Sequence, residues 1–181
     1  MRLFERCGLI RDAHEYHLQR FVHEFFPRGT QFPPHPLPEA PGGLPLADAT
    51  AFSLDDVGTN EIDDAFSVRR VAPGELRVGI HIAAPAAGFA PGTPLDAIAR
   101  ERLSTAYMPG RKFTMLPEDV VERFSLDHGG EQVAVSLYFH VSEADGTLRG
   151  RHTRLERVPI AANLRHARYD ALNAAFEAGT A

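Results

Sequence analysis

At 181 residues the chain is long enough for one moderate core that would bury about 70% of its unfolded surface. It carries 24 acidic against 19 basic residues, a formal net charge of −5, and a single cysteine, Cys7. An internal disulfide is excluded, and the polar N-terminus with no long apolar run excludes a signal-peptide core and a spanning helix, so the default location is intracellular, in the cytoplasm.

Asp12 and Glu15 make a start resembling a capping box, and Leu18, Phe21, Val22 and Phe25 form a helical stripe that stops at Pro27. Such a helix needs a surface to pack on. From Pro27 to Pro45 the chain holds seven of its 14 prolines and shows no helical or strand period, which reads as an extended linker or a belt laid over the next domain. The organisation is therefore a helical segment at 1–26, a proline-rich linker at 27–46 and a domain at 47–181.

Within that domain strands are expected near 50–55, 65–71, 76–83, 132–142 and 147–158. Asp145-Gly146 joins the last two as a hairpin turn. Ala83 to Ala87 and Asp127 to Gly130 read as loops. A helix near 94–107 has Thr93 as N-cap, Pro94 at its first position and Asp96 in its first turn, with Leu95, Ile98, Ala99, Leu103 and Ala106 as its apolar stripe. It must stop ahead of Pro109-Gly110. A last helix near 170–178 has Asp170 as cap, Ala171, Leu172, Ala175 and Phe176 as its inner face and Gly179 as its end. The fold class is α+β: a mixed, mostly antiparallel sheet with flanking helices, preceded by a short helical segment.

Five carboxylates, Asp55, Asp56, Glu61, Asp63 and Asp64, fall within ten residues, and no Lys or Arg occurs between Phe52 and Val68. Two unit charges about 4 Å apart repel by ~4 kcal/mol at the effective dielectric of a protein surface. Carboxylates drawn together here need a cation, raised pKa values or wide separation. Two readings stand at this point, a solvated acidic turn and an all-oxygen site for Mg or Mn. In an extended chain Ile62, Asp64, Phe66 and Val68 share one face, which puts Asp64 among apolar neighbours, and an unliganded buried carboxylate is costly. A calcium loop of the EF-hand kind is excluded by the offset of Gly58 and by the lack of a closing glutamate.

Ser53-Leu54-Asp55 followed by Glu61-Ile62-Asp63-Asp64-Ala65 resembles the active-site signature of the ribonuclease II/R exoribonucleases, the RNB-domain family. Val78 to Ala83, Gly92 to Asp96, Arg102 to Gly110 and Met115-Leu116-Pro117 follow in that family's order and approximate spacing. The resemblance covers roughly Ala51 to Asp170 and only the N-terminal half of an RNB domain, so the expectation is of a fragment that lacks the C-terminal half and the flanking RNA-binding domains. It implies processive hydrolysis of single-stranded RNA from the 3′ end to nucleoside 5′-monophosphates, with two divalent ions, Mg or Mn, clamping an in-line displacement. It further implies Asp55, Glu61 and Asp64 as metal ligands and Asp63 as the carboxylate whose loss costs most. Tyr107 matches an aromatic that stacks on a base near the RNA 3′ end, and Arg111 and Lys112 just beyond it are assigned with it to RNA contact. Two departures stand out: Glu61 replaces an aspartate and keeps the charge, and Ala84 replaces an aspartate that commonly follows the Ile-Ala pair.

His81 falls on the opposite strand face from Val78, Ile80 and Ile82, with Gly79, and reads as a structural histidine; no second histidine sits at zinc-ligand spacing. Without the five clustered carboxylates the chain has 19 charges of each sign, so the excess negative charge is the acidic run itself. Arg149, Arg151, Arg154, Arg157, Arg165 and Arg168 face only Glu156 in their stretch, and line either an RNA path or an exposed sheet. Three function classes remain in play: a metal-dependent exoribonuclease, an inactive RNA-binding remnant, and a carboxylate-rich metal scaffold unrelated to RNA. The partners expected are single-stranded RNA and either a second chain or the missing C-terminal half, with no membrane.

Overall fold

The computed structural model describes residues 2–167, 169 and 170. Arg168 and, beyond Asp170, the helix expected over 170–178 lie outside the described residues. The elements run α1 (Arg2–Arg6), α2 (Ala13–Phe25), β1 (Ala51–Asp55), β2 (Asp64–Ala72), β3 (Glu75–Ala83), a 3-10 turn (Pro85–Gly88), α3 (Pro94–Arg102), β4 (Ala106–Met108), β5 (Arg111–Phe113), α4 (Glu118–Phe124), β6 (Glu131–Ser142) and β7 (Leu148–Arg165). They divide into two compact units, Met1–Pro36 with Pro91–Glu118, and Leu37–Ala90 with Asp119–Ala181. The proline-rich stretch is thus shared between the units.

In the first unit Asp12 caps α2, its side chain accepting from Glu15 N–H at 2.8 Å. The reciprocal bond of a capping box goes one residue further back, Glu15 Oε2 accepting from Arg11 N–H at 2.6 Å. No residue of α2 is buried, and Phe25 of the apolar stripe is exposed. Phe21 and Phe26 instead meet the buried Phe113, with ring centroids 5.6 and 5.2 Å away.

Thr93 caps α3 as expected, accepting from Asp96 N–H at 3.4 Å. The helix ends at Arg102, not near 107. Leu103 takes φ 63°, in the left-handed region, and its N–H bonds back to Ala99 O at 2.9 Å. Arg102, the last helical residue, has its guanidinium donating to Thr114 O and Thr30 O, both at 2.8 Å, and lying 3.7 Å from the Phe32 ring centroid. Residues 106–108 then pair with 111–113 about Pro109-Gly110, where Gly110 supplies φ 72°. The residue ahead of a proline prefers extended backbone, and Pro-Gly suits the middle of a turn, so the local chemistry favours a hairpin over one more helical turn.

The second unit is a closed five-stranded barrel in the order β1-β2-β3-β6-β7. Every neighbouring pair is antiparallel except β1 and β7, which close the barrel in parallel. The strands expected near 50–55, 65–71, 76–83 and 132–142 are present, and the fifth runs on to Arg165 because its far end pairs with β1. Asp145-Gly146 makes the expected turn, with Gly146 at φ 70° and Asp145 Oδ1 accepting from Thr147 N–H. The run before the barrel also joins β7: Ala47 N–H donates to Arg157 O and Arg157 N–H to Pro45 O. Helix α4 went unread in the sequence, although Val120 and Phe124, one turn apart, are both buried.

The inner wall of the barrel carries mainly small and polar residues, together with Tyr138, Val158 and Ile160, while Val68, Ile82, Val135 and Leu155 turn outward. Ser53, Ser67, His81, Ser136, Tyr138 and Glu156 are all buried. His81 Nε2 and Nδ1 each share a hydrogen bond with a hydroxyl, Ser67 Oγ and Ser136 Oγ, both at 2.8 Å, and Tyr138 Oη donates to Glu156 Oε1 at 2.7 Å. No buried side-chain nitrogen or oxygen lacks a partner among the described residues. His81 is therefore a satisfied structural histidine, and burial pushes its pKa below the ordinary value.

This inversion corrects the expectation for Asp64. The buried face of β2 is Ala65 and Ser67; Asp64, Phe66 and Val68 do share the other face, but that face looks outward and Asp64 is exposed. The need to compensate a buried carboxylate does not arise. The apolar core cluster of this unit, Ala47, Ala51, Ile62, Ala65, Leu126, Ala134, Val158 and Ile160, gathers beside the start of β2.

Candidate active site at the acidic end of the barrel

The run from Asp55 to Asp64 leaves the barrel at the end of β1 and re-enters it at β2. Its backbone is tied down from both sides. Ile62, 1% exposed, donates its N–H to Ser125 Oγ at 3.1 Å and accepts Leu126 N–H at 2.9 Å, while Asp63 O accepts Ala83 N–H at 2.8 Å. At the other end Arg165, register partner of Asp55 across the parallel pair, donates from Nη1 to Asp56 O at 2.9 Å. Between them Thr59 N–H closes a turn onto Asp56 O at 3.0 Å. Ile62, the larger of the two apolar residues in the run, is the one that is buried, and its burial favours this path, while Val57 stays exposed.

One carboxylate is oriented through a chain of side chains. Ser53 Oγ donates to Asp55 Oδ2 at 2.5 Å, and Asn163 Nδ2 donates to Ser53 Oγ at 2.9 Å and to Leu126 O at 3.0 Å. Asn163 Oδ1 in turn accepts His128 N–H at 2.8 Å. His166 Nε2 stands 4.0 Å from Asp56 Oδ1.

Asp55, Asp56, Glu61, Asp63 and Asp64 thus share one short segment at one end of the barrel. Among the described residues, however, no three Asp, Glu, His or Cys side chains are gathered in a group able to hold a metal ion. The donor set fits a hard divalent cation in its chemistry, being carboxylate oxygen throughout. Asn163, Ser125 and Arg165 are the participants that the sequence did not single out for this segment. A lone Asn or Ser in an apolar strand or loop carries no local signal, and Arg165 was one of a run of arginines.

The residues assigned to RNA contact lie in the other unit. Tyr107 of β4 is 72% exposed and pairs across the hairpin with Lys112. Arg111, opposite Met108, has its guanidinium 5.2 Å from the Phe113 ring centroid and lines a cleft of about 780 Å³ with His14, Gln19 and His23 of α2. An exposed aromatic beside two cations suits a nucleobase and its phosphate. On the barrel the β7 arginines divide: Arg157 is held by Glu131 at 2.6 Å and Arg165 by the acidic segment, whereas Arg149, Arg151 and Arg154 stand exposed.

The fold is a closed five-stranded barrel with a carboxylate-rich segment between its first two strands. The RNB domain model matches residues 45–179, and the chain belongs to the RNB-domain family, that of the ribonucleases II and R. Exoribonuclease 2 of Edwardsiella piscicida is 38% identical over 97 residues, covering 54% of this chain and 15% of that relative. The chain therefore spans well under a quarter of the length of the curated relatives it matches. RNase R of Mycoplasma genitalium, solved with a ribose-methylated single-stranded RNA, superposes with a TM-score of 0.67 at 18% identity over 74% of this chain and 21% of that one. Yeast Ssd1, described as a pseudonuclease, superposes with a TM-score of 0.68 at 22% identity over 76% of this chain and 18% of that one. At such identities both show the fold alone.

Proposed function

We propose that the chain is the barrel-bearing portion of a metal-dependent 3′→5′ exoribonuclease that hydrolyses single-stranded RNA to nucleoside 5′-monophosphates in the cytoplasm. The observation that carries this reading is the match of the RNB domain across the acidic segment, on a chain whose backbone there is anchored at Ile62, Asp63 and Asp56. Asp55, Glu61 and Asp64 would hold Mg or Mn, which when bound lowers the pKa of an attacking water and steadies the departing oxygen. Asp63, whose backbone is fixed against Ala83, would orient the attacking water and take up its proton as the new phosphorus–oxygen bond forms, the displaced 3′ oxygen taking a proton from solvent. Tyr107 stacks on a base, and Arg111 and Lys112 meet the backbone phosphates. A second chain or the C-terminal remainder of the catalytic domain supplies the rest of the RNA path.

The test is degradation of a 5′-labelled single-stranded RNA with Mg, with chelator, and with Asp63→Asn alongside. Metal-dependent shortening from the 3′ end, abolished in the variant while RNA is still bound, is the expected result; full activity in Asp63→Asn would sink the assignment. A second reading has one specific observation behind it, that no three carboxylates are gathered among the described residues. It makes the chain an RNA-binding module without cleavage, and salt-dependent RNA binding with no shortening under any metal selects it.

A further inference from the structure

Asn163 sits at a position where its amide has no freedom left. Its Nδ2 donates to Ser53 Oγ and to Leu126 O, and its Oδ1 accepts His128 N–H, with His128 Nδ1 a further 3.2 Å neighbour. Asn163 and Ser53 are register partners across the parallel β1–β7 pair, so this bond follows from how the barrel closes. Ser53 is wholly buried, and its hydroxyl has one proton. Since Ser53 Oγ already accepts from the amide, that proton is directed to Asp55 Oδ2, 2.5 Å away. The amide orientation itself is set by the Leu126 and His128 backbone, because a flipped Asn163 would point NH₂ at an N–H and oxygen at a carbonyl.

We propose that Asn163 is a positioning residue, acting through Ser53 to fix the Asp55 carboxylate with Oδ2 committed to the hydroxyl and Oδ1 presented to a divalent ion. The inference rests on the reading of Asp55 as a metal ligand given above. It makes the closing strand of the barrel, far along the chain from the acidic run, part of the same working unit. Outer hydrogen-bond partners of metal ligands set ligand orientation, and their loss commonly weakens metal binding ~10–100-fold.

The experiment is Mn binding to the full chain, followed by calorimetry, for the wild type, Ser53→Ala, Asn163→Ala and the double variant, with thermal unfolding measured in parallel. Each single variant is expected to weaken Mn binding about 10-fold or more. The double variant is expected to be no weaker than Ser53→Ala, because the Ser53 hydroxyl is the hydrogen-bonded link from Asn163 to the Asp55 carboxylate, whereas an effect carried through Leu126 to Ile62 would add to the loss in Ser53→Ala. A merely structural role would lower the melting temperature of Asn163→Ala and leave its Mn affinity where it was, or would add its loss to that of Ser53→Ala; either result overturns the proposal. Should Asn163→Ala not fold, Asn163→Asp replaces it, keeping shape but removing the donor to Ser53. Weaker Mn binding despite the added negative charge supports the relay, and unchanged or tighter binding overturns it. A wild-type chain that binds no Mn removes the metal-ligand reading of Asp55 and the relay together, whereas wild-type binding that Ser53→Ala leaves intact removes the relay alone.

Discussion

Gly79 lies inside the barrel where a single methyl group has nowhere to go. A Cβ at this position would run into Ser67 Oγ and come within 2.8 Å of His81 Nε2, the two atoms that share a hydrogen bond across the interior. Gly79→Ala must therefore push β2 away from β3 or break the Ser67–His81 bond. Overpacking a well-filled interior costs ~1–3 kcal/mol, and a lost buried hydrogen bond adds about 1 kcal/mol, so roughly 2–4 kcal/mol is expected. For a chain of this length each kcal/mol lowers the melting temperature by about 2–4 °C, which puts the shift at roughly 5–15 °C. The assay is thermal unfolding by circular dichroism, with Gly42→Ala as reference because a Cβ there meets nothing within 4 Å. A Gly79→Ala chain that melts with the Gly42→Ala reference would refute the packing argument and with it the closed, polar-lined barrel.

Two further predictions follow from exposure and from burial. Tyr107→Ala is expected to weaken single-stranded RNA binding by ~1–3 kcal/mol, read by fluorescence anisotropy, while leaving the melting temperature unchanged since the side chain is 72% exposed. His81, faced by Ser67, Ser136, Glu156 and Arg77, has its pKa lowered chiefly by burial, so the unfolded chain takes up a proton near pH 6.5 before the folded chain does. The stability this contributes is complete above pH 6.5 and is lost as the pH falls toward the lowered value; the difference between urea midpoints at pH 7.5 and 5.5 should be smaller in His81→Gln, which can still bridge the two serines, than in the wild type, the remainder coming in part from His152, whose pKa is lowered too.

The parts of this molecule legible in sequence were those set by short-range rules. Alternation placed four strands closely, Asp12 and Thr93 marked helix starts, and Gly79 with His81 fell on the inner wall as the period of two requires. What escaped was set by closure. That β1 and β7 pair in parallel, that Ser53 therefore faces Asn163, and that the serines and His81 meet inside all depend on which strands the closing of the barrel brings together. Asp64 was misplaced by the same cause, since outward and apolar coincide here. The end of α3 differs from the expectation because the stripe continues formally through Leu103 and Ala106, while the chain turns left-handed at Leu103 and residues 106–108 pair with 111–113.

The apolar cluster of the barrel unit includes Ile62 of the acidic segment, which makes the two hard to perturb separately and suggests how to do so. Ile62 and Leu126 are its two largest fully buried side chains, and they are joined by a backbone bond that fixes the segment two residues before Asp64. Val120 of α4 is equally buried in the same unit but lies outside the apolar cluster that holds Ile62 and Leu126. Ile62→Ala and Val120→Ala both leave cavities and should both lower global stability, by ~2–5 kcal/mol for the larger residue and somewhat less for the smaller. Only the first removes the side chain that seats the segment. Amide hydrogen exchange at Leu126, whose N–H is bonded to Ile62 O, should therefore quicken in Ile62→Ala beyond what the global loss accounts for, and follow the global loss alone in Val120→Ala. Equal behaviour of that amide in the two variants would mean that the segment is held by its ends at Asp56 and Asp63, and that Ile62 merely fills space beneath it.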